Sequence, residues 1–483
     1  MRLDDTQKQE QKYPMSEEKS QEAVQEVERE EKKPRRGEPD HPIAKAVDRL
    51  LNRVEDTAIC ASVFIPAGSK IAVESLKKHQ QMLKEGQVML EDSEPANQIL
   101  GTKQILDSVR RIERTAKSEL PLILEKGLFL SLFSAFDAFT GDILSAIYLG
   151  KPELFRSLNR SMTIAEMMKY ESLEDLQQIV LQDEIEVFRR ASYVEQFETL
   201  ESRFGLKLRA FATWPHFVEC SQRRNLITHC DGVISDQYIN VCRREGYNFE
   251  KDVEVGAQIK IGGKYFYRSC QVMMEVGVKL GHTLWRKIFP EQREDADRHL
   301  NDIVYDFNLN GEWKKAQIIG EFINGLPEMS NDTERRIAVV NYAVALKFDG
   351  RDEEASKLIG GLDWSATSNE FKIAEAVLCD NFDRAAEIMK RIGKEGELIK
   401  EEAYHRWPLF RAFRESSQFS KAYQEVYGYP FVVELQKAAV AAEAKAEVQL
   451  ESELHQLEDS DEGEKAQQDV DDSKAASPSP RGA

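Results

Sequence analysis

The sequence predicts an all-α protein with two helical regions, and three observations lead to this fold class. Apolar residues recur at intervals of three and four positions through most of residues 41–430, as on one face of an α-helix. A single segment, Ala257–Tyr267, has the alternation and the glycine pair typical of a small β-hairpin. From about residue 301, a turn residue followed five positions later by alanine recurs four times, which indicates successive helix hairpins.

Length and charge set the first bounds on function. The 483 residues are enough for two or three domains with their own cores. The net charge is −19, which is the sum of net charges of −3 in residues 1–40, −8 in residues 441–483 and −8 in the middle. An acidic chain repels polyanions in general, yet this small excess in the middle leaves room for a local basic site. Residues 1–40 have almost no large apolar residue and are expected to be a disordered arm, and residues 431–483 a partly helical, disordered acidic tail.

The remaining composition bears on compartment and cofactors. The six cysteines have no C-x2-C spacing, which indicates neither a zinc site nor a disulfide framework and is typical of a reducing compartment. No uncharged apolar run approaches the ~20 residues of a membrane span, so a cytoplasmic protein with no membrane segment is expected. No phosphate-binding glycine loop, serine-hydrolase elbow or H-x3-H pair occurs, so we expect no cofactor and no metal site.

Residues 41–102 are predicted to be a helical extension and residues 103–290 a helical bundle. The segment Leu120–Tyr148 is apolar on nearly every side, as expected for the central helix of a bundle. Gly150-Lys-Pro then ends it. The predicted helices are, in order, His41–Ala61, Lys70–Lys84, Thr102–Ser118, Leu120–Tyr148, Ile164–Glu171, Leu173–Val180, Glu184–Phe204, Trp214–His229 and Cys270–Ile288.

Residues 296–430 resemble a degenerate tetratricopeptide-repeat (TPR) array. The alanines of the four turn patterns are separated by 39, 30 and 37 residues, which bracket the ~34-residue period of that repeat. They are Ala316, Ala355, Ala385 and Ala422. A small side chain is needed where the two helices of a hairpin approach closely. A stacked array would present a concave surface to an unknown protein partner; independent helix hairpins without stacking are the alternative.

The end of the predicted helix Trp214–His229 carries the motif Arg224-Asn225-x3-His229. At 100° per residue, Asn225 and His229 lie one turn apart on the same face, with Arg224 on the adjoining flank. An asparagine amide in that position is expected to orient the imidazole ring. Gly232 is expected to end the helix, which places His229 among the terminal carbonyls, where the helix dipole favours a protonated ring.

Arginines cluster around this motif and predict phosphate binding. Arg223 and Arg224 precede the histidine, and Arg243 and Arg244 follow the next turn. Guanidinium groups match phosphate oxygens in geometry and charge. The alternative is a polar helix end at which His229 caps terminal carbonyls and Arg224 forms a surface ion pair.

The motif, together with the upstream segment FSAFDAFTGDIL and its Asp137 between aromatic residues, resembles the HEPN superfamily of ribonucleases. The likeness is to the branch with R-N-x3-H followed by a glycine, and it covers residues 103–290. It implies a metal-independent endoribonuclease in which the RNA 2′-hydroxyl attacks the adjacent phosphorus and leaves a 2′,3′-cyclic phosphate. In that scheme His229 is the acid/base, Arg224 the electrostatic clamp, and Asn225 the orienting or phosphate-contacting group.

The same resemblance bears on partners and regulation. HEPN nucleases pair two motifs across a dimer, so a homodimer through the HEPN region is expected. Asp137 either supports Arg224 or His229 or is a buried acid paired to a structural base. The fusion to a TPR-like array favours a regulated stress or anti-phage effector that cleaves cellular RNA. The alternative is a non-catalytic HEPN/TPR scaffold or RNA-binding protein, because many members of the superfamily lack catalysis.

Overall fold

A computed structural model of the chain describes residues 41–158, 161–249 and 253–431. The predictions for the arm and for nearly all of the tail lie outside these residues. The described chain is helical, with one isolated β-bridge as its only strand pairing, so the all-α prediction is confirmed. The chain divides into two compact units between His299 and Leu300.

The first unit contains the predicted extension and bundle. Its helices are α1 (Pro42–Leu90), α2 (Pro95–Ala116), α3 (Leu120–Gly150), α4 (Ile164–Met167), α5 (Leu173–Arg190), α6 (Tyr193–Phe204), α7 (Trp214–Cys230), α8 (Asp236–Arg244) and α9 (Gly263–Ile288), with short 3₁₀ helices at Pro152–Ser157 and Pro290–Gln292. Helix α10 (Arg293–Leu309) crosses the division between the units.

Helix α1 is continuous over 49 residues, where the sequence predicts two shorter helices. Pro66 removes one backbone donor inside it. The packing is nevertheless unbroken on either side of the proline, since Ala61 and Gly68 are both buried. A Cβ atom on Gly68 would lie 2.9 Å from Leu124 Cδ1, so α1 and α3 are in close contact at this level. Tertiary contacts therefore keep α1 helical between residues 61 and 70, where the sequence predicts a break between two helices.

By length and composition alone, α1 is the one described helix that is able to span a membrane. Within its 18-residue apolar window, 11% of the residues are buried. A single helix of this kind is weak evidence for a membrane, and the absence of a membrane segment stays a prediction.

Helices α1 and α2 form a hairpin whose two backbones nearly touch. A Cβ atom on Gly101 would lie 2.7 Å from the carbonyl oxygen of Gly86, and one on Gly86 would lie 3.1 Å from the carbonyl oxygen of Gly101. Asp92 shapes the connection, because its carboxylate accepts hydrogen bonds from the backbone of Glu94 and from Asn97 Nδ2 at 3.0 and 2.8 Å. The two glycines are thus what allows the hairpin to close.

Helix α3 is the centre of the first unit, and it packs against α1, α5, α7 and α9. Its phenylalanines form an aromatic core, in which Phe136 and Phe217 of α7 have ring centroids 5.1 Å apart. The buried phenylalanines of α3 are Phe129, Phe133, Phe136 and Phe139. This packing holds α7, which carries the Arg-Asn-His motif, against the helix that carries Asp137.

The predicted β-hairpin at Ala257–Tyr267 is wrong. The first half of the segment makes one isolated bridge, between Val233 and Gln258, while the second half is the first turn of α9. Aromatic residues favour strands locally, but Phe266, Cys270 and Met273 repeat at helical spacing and all three are buried. Burial of these three side chains favours the helix over the strand, and Gly262 and Gly263 lie at the start of that helix.

The second unit consists of successive helix hairpins, as the sequence predicts. Its helices are α11 (Trp313–Asn324), α12 (Asp332–Phe348), α13 (Asp352–Gly360), α14 (Asn369–Leu378), α15 (Phe382–Ile392), α16 (Glu401–Arg406), α17 (Arg411–Arg414) and α18 (Ser417–Tyr427), with a 3₁₀ turn at Pro408–Phe410. Gly311, Gly350 and Asp380 have the left-handed backbone that a turn between helices needs. The four repeated alanines, Ala316, Ala355, Ala385 and Ala422, are all buried.

Candidate functional site

Helix α7 ends immediately after the histidine of the motif. Asp231 and Gly232 both have left-handed backbone, with φ of 48° and 83°, and they end the helix at Cys230. The amide of Gly232 donates to the carbonyl of Leu226 at 2.9 Å, and Lys126 Nζ of α3 lies 2.6 Å from Asp231 Oδ1. His229 is therefore exposed in the last turn of a helix whose end is anchored to α3.

A cavity of about 390 Å³ lies beside this helix end. It brings together Arg224, Asn225 and His229 of α7 and Asp137 of α3. The other lining residues come from α7 itself, from the end of α5 and the start of α6, and from the region around the start of α8: Gln222, Leu226, Cys230, Arg189, Arg190, Ala191, Ser192, Tyr193, Gln196, Ser235, Gln237 and Tyr238. Residues from four parts of the sequence thus converge on the predicted motif.

The Asp137 carboxylate is held by a tyrosine. Tyr193 donates its hydroxyl to Asp137 Oδ1 at 2.6 Å. Burial raises the pKa of the Tyr193 hydroxyl, and the neighbouring Asp137 carboxylate raises it further, so the tyrosine remains a donor. Among the described residues, the hydrogen-bond partner of the Asp137 carboxylate is this phenol, and a role of Asp137 in supporting Arg224 or His229 stays a prediction.

Arg224 is half-buried and forms no ion pair among the described residues. Its Nη1 donates to Asn225 Oδ1 at 3.1 Å, and no carboxylate among the described residues forms an ion pair with it. The surface ion pair that the non-functional alternative requires is thus missing from the described part of the chain. The asparagine faces Arg224 in this arrangement, and no hydrogen bond joins it to His229 within the described residues. The prediction that Asn225 orients the His229 imidazole is therefore not confirmed.

Arg189 is a second guanidinium at the cavity that the sequence did not single out. Its Nε donates to the carbonyl of Asp137 at 2.8 Å, so the side chain lies along α3. The glycine at position 141 leaves room for this side chain, because a Cβ atom there would clash with the Arg189 guanidinium. The adjacent Arg190 pairs with Glu186 at the surface at 3.2 Å. Arg189 and Arg190 are adjacent in the sequence, but their proximity to the Arg-Asn-His motif depends on tertiary packing.

Arg223 does not reach the cavity, so the prediction that it binds phosphate is not supported. Its guanidinium forms an ion pair with buried Glu219 at 2.7 Å, lies 3.7 Å from the ring centroid of Tyr265 and donates to the carbonyl of Lys260 at 2.9 Å. Tyr238 and Tyr265 each donate a hydroxyl to the same Glu219 carboxylate at 2.6 Å. This cluster ties α7 to α8 and α9 and is structural.

Arg243 and Arg244 also lie away from the cavity. Both are exposed in the last turn of α8, and Arg244 Nε donates to Glu245 Oε1 at 3.0 Å. Gln237, which does line the cavity, is seven residues before Arg244, about 10 Å along the helix. Arg243 and Arg244 thus lie away from the motif, and the prediction that they bind phosphate there is not supported.

Comparison of this chain with protein-family models, curated proteins and solved structures found no match. The HEPN and TPR likenesses therefore rest on the residues quoted from the sequence. Within the described ranges, no group of three or more His, Cys, Asp and Glu side chains is placed to hold a metal ion.

The reactivity of two cysteines of α7 tests which of them is exposed to solvent. Cys230 is exposed and lines the cavity, whereas Cys220 is buried, and burial raises the pKa of its thiol to about 11. Because the thiolate is the nucleophile, we expect iodoacetamide near neutral pH to modify Cys230 long before Cys220. Peptide mass spectrometry over a time course measures both rates. Equal rates would contradict the described burial of Cys220.

Proposed function

We propose that this chain is a metal-independent endoribonuclease whose active site is the cavity at the end of α7. The observation that carries the proposal is the half-buried Arg224, without a carboxylate partner among the described residues, beside Asn225 and His229 at an open cavity. A guanidinium without an ion pair in such a place can bind an anion, and a phosphodiester is an anion that a nearby histidine can help to cleave.

In this proposal the chemistry is an intramolecular phosphoryl transfer. The RNA 2′-oxygen forms a bond to phosphorus and the bond from phosphorus to the 5′-oxygen breaks, which leaves a 2′,3′-cyclic phosphate and a 5′-hydroxyl. One proton leaves the 2′-hydroxyl and one is added to the 5′-oxygen, and His229 moves one of them. Arg224 neutralises the charge that builds on the phosphorane oxygens. Asn225 holds Arg224 through its amide oxygen, and Tyr193 fixes Asp137 at the cavity wall.

The second proton carrier is proposed to come from a second copy of the chain. Each chain supplies one motif histidine, and Tyr193 is engaged with Asp137 as a donor. A homodimer through the first unit would bring two motifs to one substrate. We also propose that RNA cleavage is the output of a cytoplasmic stress or anti-phage effector.

The second unit is proposed to bind the partner that regulates cleavage. It has a cavity of about 250 Å³ with a mainly aromatic and aliphatic lining that includes Tyr305, Phe371 and Trp407. The lining comes from successive helix hairpins, as it would on the inner face of a TPR-like array. An apolar side chain of a protein partner fits such a cavity.

A scaffold or RNA-binding protein without catalysis is the second candidate. The observation in its favour is that His229 is exposed and no hydrogen bond within the described residues orients its ring. A catalytic imidazole usually has such a bond. The scaffold would bind RNA or protein and leave RNA uncut.

The proposed chemistry is tested with an RNA oligonucleotide in excess chelator. Wild-type protein is expected to cut it and to leave 2′,3′-cyclic phosphate ends, detected by mass spectrometry. The matched control is the same oligonucleotide with a 2′-deoxy residue at the main cleavage position, which should resist cutting there because it has no attacking hydroxyl. Cleavage that requires an added metal ion, or that proceeds at the deoxy position, would contradict the proposal. RNA that is bound and left intact would favour the scaffold.

A further inference from the structure

The middle of α1 exposes an apolar face that nothing described in the first unit covers. Ile59, Val63 and Phe64 are each more than half exposed, and Pro66 and Ala67 beside them are exposed as well. We refer to these five residues as the outer α1 face. Large exposed apolar patches on soluble domains mark sites where another surface docks.

The opposite side of α1 is already packed. Ala61 and Gly68 are buried, and Gly68 lies so close to Leu124 of α3 that a Cβ atom there would be 2.9 Å from it. At 100° per residue, Ala61 and Gly68 lie about 140° to 200° around the helix from Ile59 and Val63. The helix is therefore packed against its own unit along one side, and no described residue of that unit covers the other side.

Two of the charges beside the outer α1 face lie at equal distances from its centre. Asp56 lies seven residues before Val63 and Lys70 lies seven residues after it. Seven residues are almost two turns, so both charges lie on the same side of the helix as Val63, each about 10 Å away along the axis. Both are exposed, and Asp56 has no hydrogen bond or ion pair within the described chain. Lys70 has only a loose contact with exposed Glu74 at 3.8 Å.

We propose that the outer α1 face binds the same face of a second copy of this chain, antiparallel, about a two-fold axis near Val63. In that arrangement Asp56 of each copy lies opposite Lys70 of the other, and the apolar residues between them are covered. A two-fold interface has to be complementary to itself. The spacing of one acid and one base at equal distances from an apolar centre meets that requirement.

A lipid bilayer fits this face less well. Asp56, Lys70 and Glu74 lie on the exposed side of the helix, and charged groups inside a bilayer are costly. To span a bilayer, the helix would also have to leave α3, against which Gly68 packs. The dimer surface goes beyond the proposed function. It lies outside residues 103–290, where the sequence placed the dimer, and it holds whether or not the chain cleaves RNA.

Charge exchange tests the pairing in the full-length protein. Wild type is expected to be a dimer in sedimentation velocity over a concentration series. Asp56→Lys alone and Lys70→Asp alone place like charges opposite each other twice per dimer, and each is expected to weaken the dimer about tenfold or more. The double variant Asp56→Lys/Lys70→Asp restores both pairs and should dimerise as wild type does. Circular dichroism melting checks that each variant is folded.

Val63→Glu gives a second test, and Val88→Glu is its control. Val63→Glu buries two like charges at the centre of the interface and is expected to abolish the dimer. Val88 is on the same side of α1 and is also exposed, but its counterpart across the two-fold would be residue 38, before α1 begins. Val88→Glu should therefore leave the dimer unchanged.

Three results would overturn the proposal. Wild type that is monomeric at about 100 µM lacks the interface. A double charge-exchange variant as weak as the single variants rules out the Asp56–Lys70 pairing. Wild type that floats with phosphatidylcholine vesicles, with Val63→Glu losing that property, assigns the face to a membrane. The variant His229→Ala should dimerise as wild type does, so loss of cleavage and loss of dimer are separate readouts.

Discussion

Replacing Arg224 by alanine is expected to lower the RNA cleavage rate constant by about 10²- to 10³-fold, the usual effect of removing one donor to a developing oxyanion. The side chain is half-buried at the cavity, its charge has no carboxylate partner among the described residues, and Asn225 holds it in place. Since it forms no ion pair there, its removal should cost little folding stability. Single-turnover cleavage of a defined oligonucleotide measures the effect, with urea unfolding as the check on stability.

Lysine at position 224 separates charge from geometry. Arg224→Lys keeps the positive charge but loses the planar fork that matches two phosphate oxygens, so an intermediate loss is expected. Arg243→Ala is the matched control, because Arg243 is exposed at the far end of α8 and does not line the cavity. Its effect should stay within about twofold at fixed ionic strength. Equal losses for Arg224→Ala and Arg243→Ala would mean that general electrostatics, and not the cavity, drives the reaction.

Glu219→Ala is expected to lower the free energy of unfolding by about 3–5 kcal/mol. Glu219 is 2% exposed and Arg223 14% exposed, so the substitution leaves a buried cation without its partner. It also removes the acceptor of the Tyr238 and Tyr265 hydroxyls, both of which stay protonated because burial raises their pKa. Urea denaturation followed by circular dichroism measures the change.

The chain offers a matched control for this substitution. Glu186 and Arg190 have the same spacing of four residues and the same residue types, but they are 52% and 79% exposed. Glu186→Ala should therefore cost at most about 1 kcal/mol. The double variant Glu219→Leu/Arg223→Met replaces both charges by apolar groups and should recover most of the loss. A similar effect for Glu219→Ala and Glu186→Ala would show that the Glu219 cluster is not buried in solution.

The sequence predicts the helices well where packing and local pattern agree. Leu120–Tyr148 was expected as a central helix because it is apolar on all sides, and α3 is central. Local pattern misleads where it conflicts with burial. The aromatic residues Tyr265–Tyr267 favour a strand, but Phe266 repeats at helical spacing with buried Cys270 and Met273, and the segment is helical. The sequence predicts a break between residues 61 and 70, around Pro66, but Ala61 and Gly68 are buried and the helix is continuous there.

The sequence predicts the candidate site along α7 and, through the family resemblance, at Asp137 of α3, but not in full. Arg224, Asn225 and His229 share α7, so helical geometry alone places them together. Arg189 and Tyr193 reach the cavity from α5 and α6, and no spacing in the sequence connects them to the motif. Arg223 could have been recognised as structural, because Glu219 precedes it by four residues, the spacing of an ion pair on a helix.

The central claim is that the cavity at the end of α7 cleaves RNA, and His229→Ala tests it most directly. His216→Ala is the matched control, since His216 lies in the first turn of the same helix and does not line the cavity. In excess chelator, His229→Ala is expected to lose about 10²- to 10⁴-fold in the rate of forming 2′,3′-cyclic phosphate ends, while His216→Ala stays close to wild type. A His229→Ala variant that forms these ends at the wild-type rate would contradict the account.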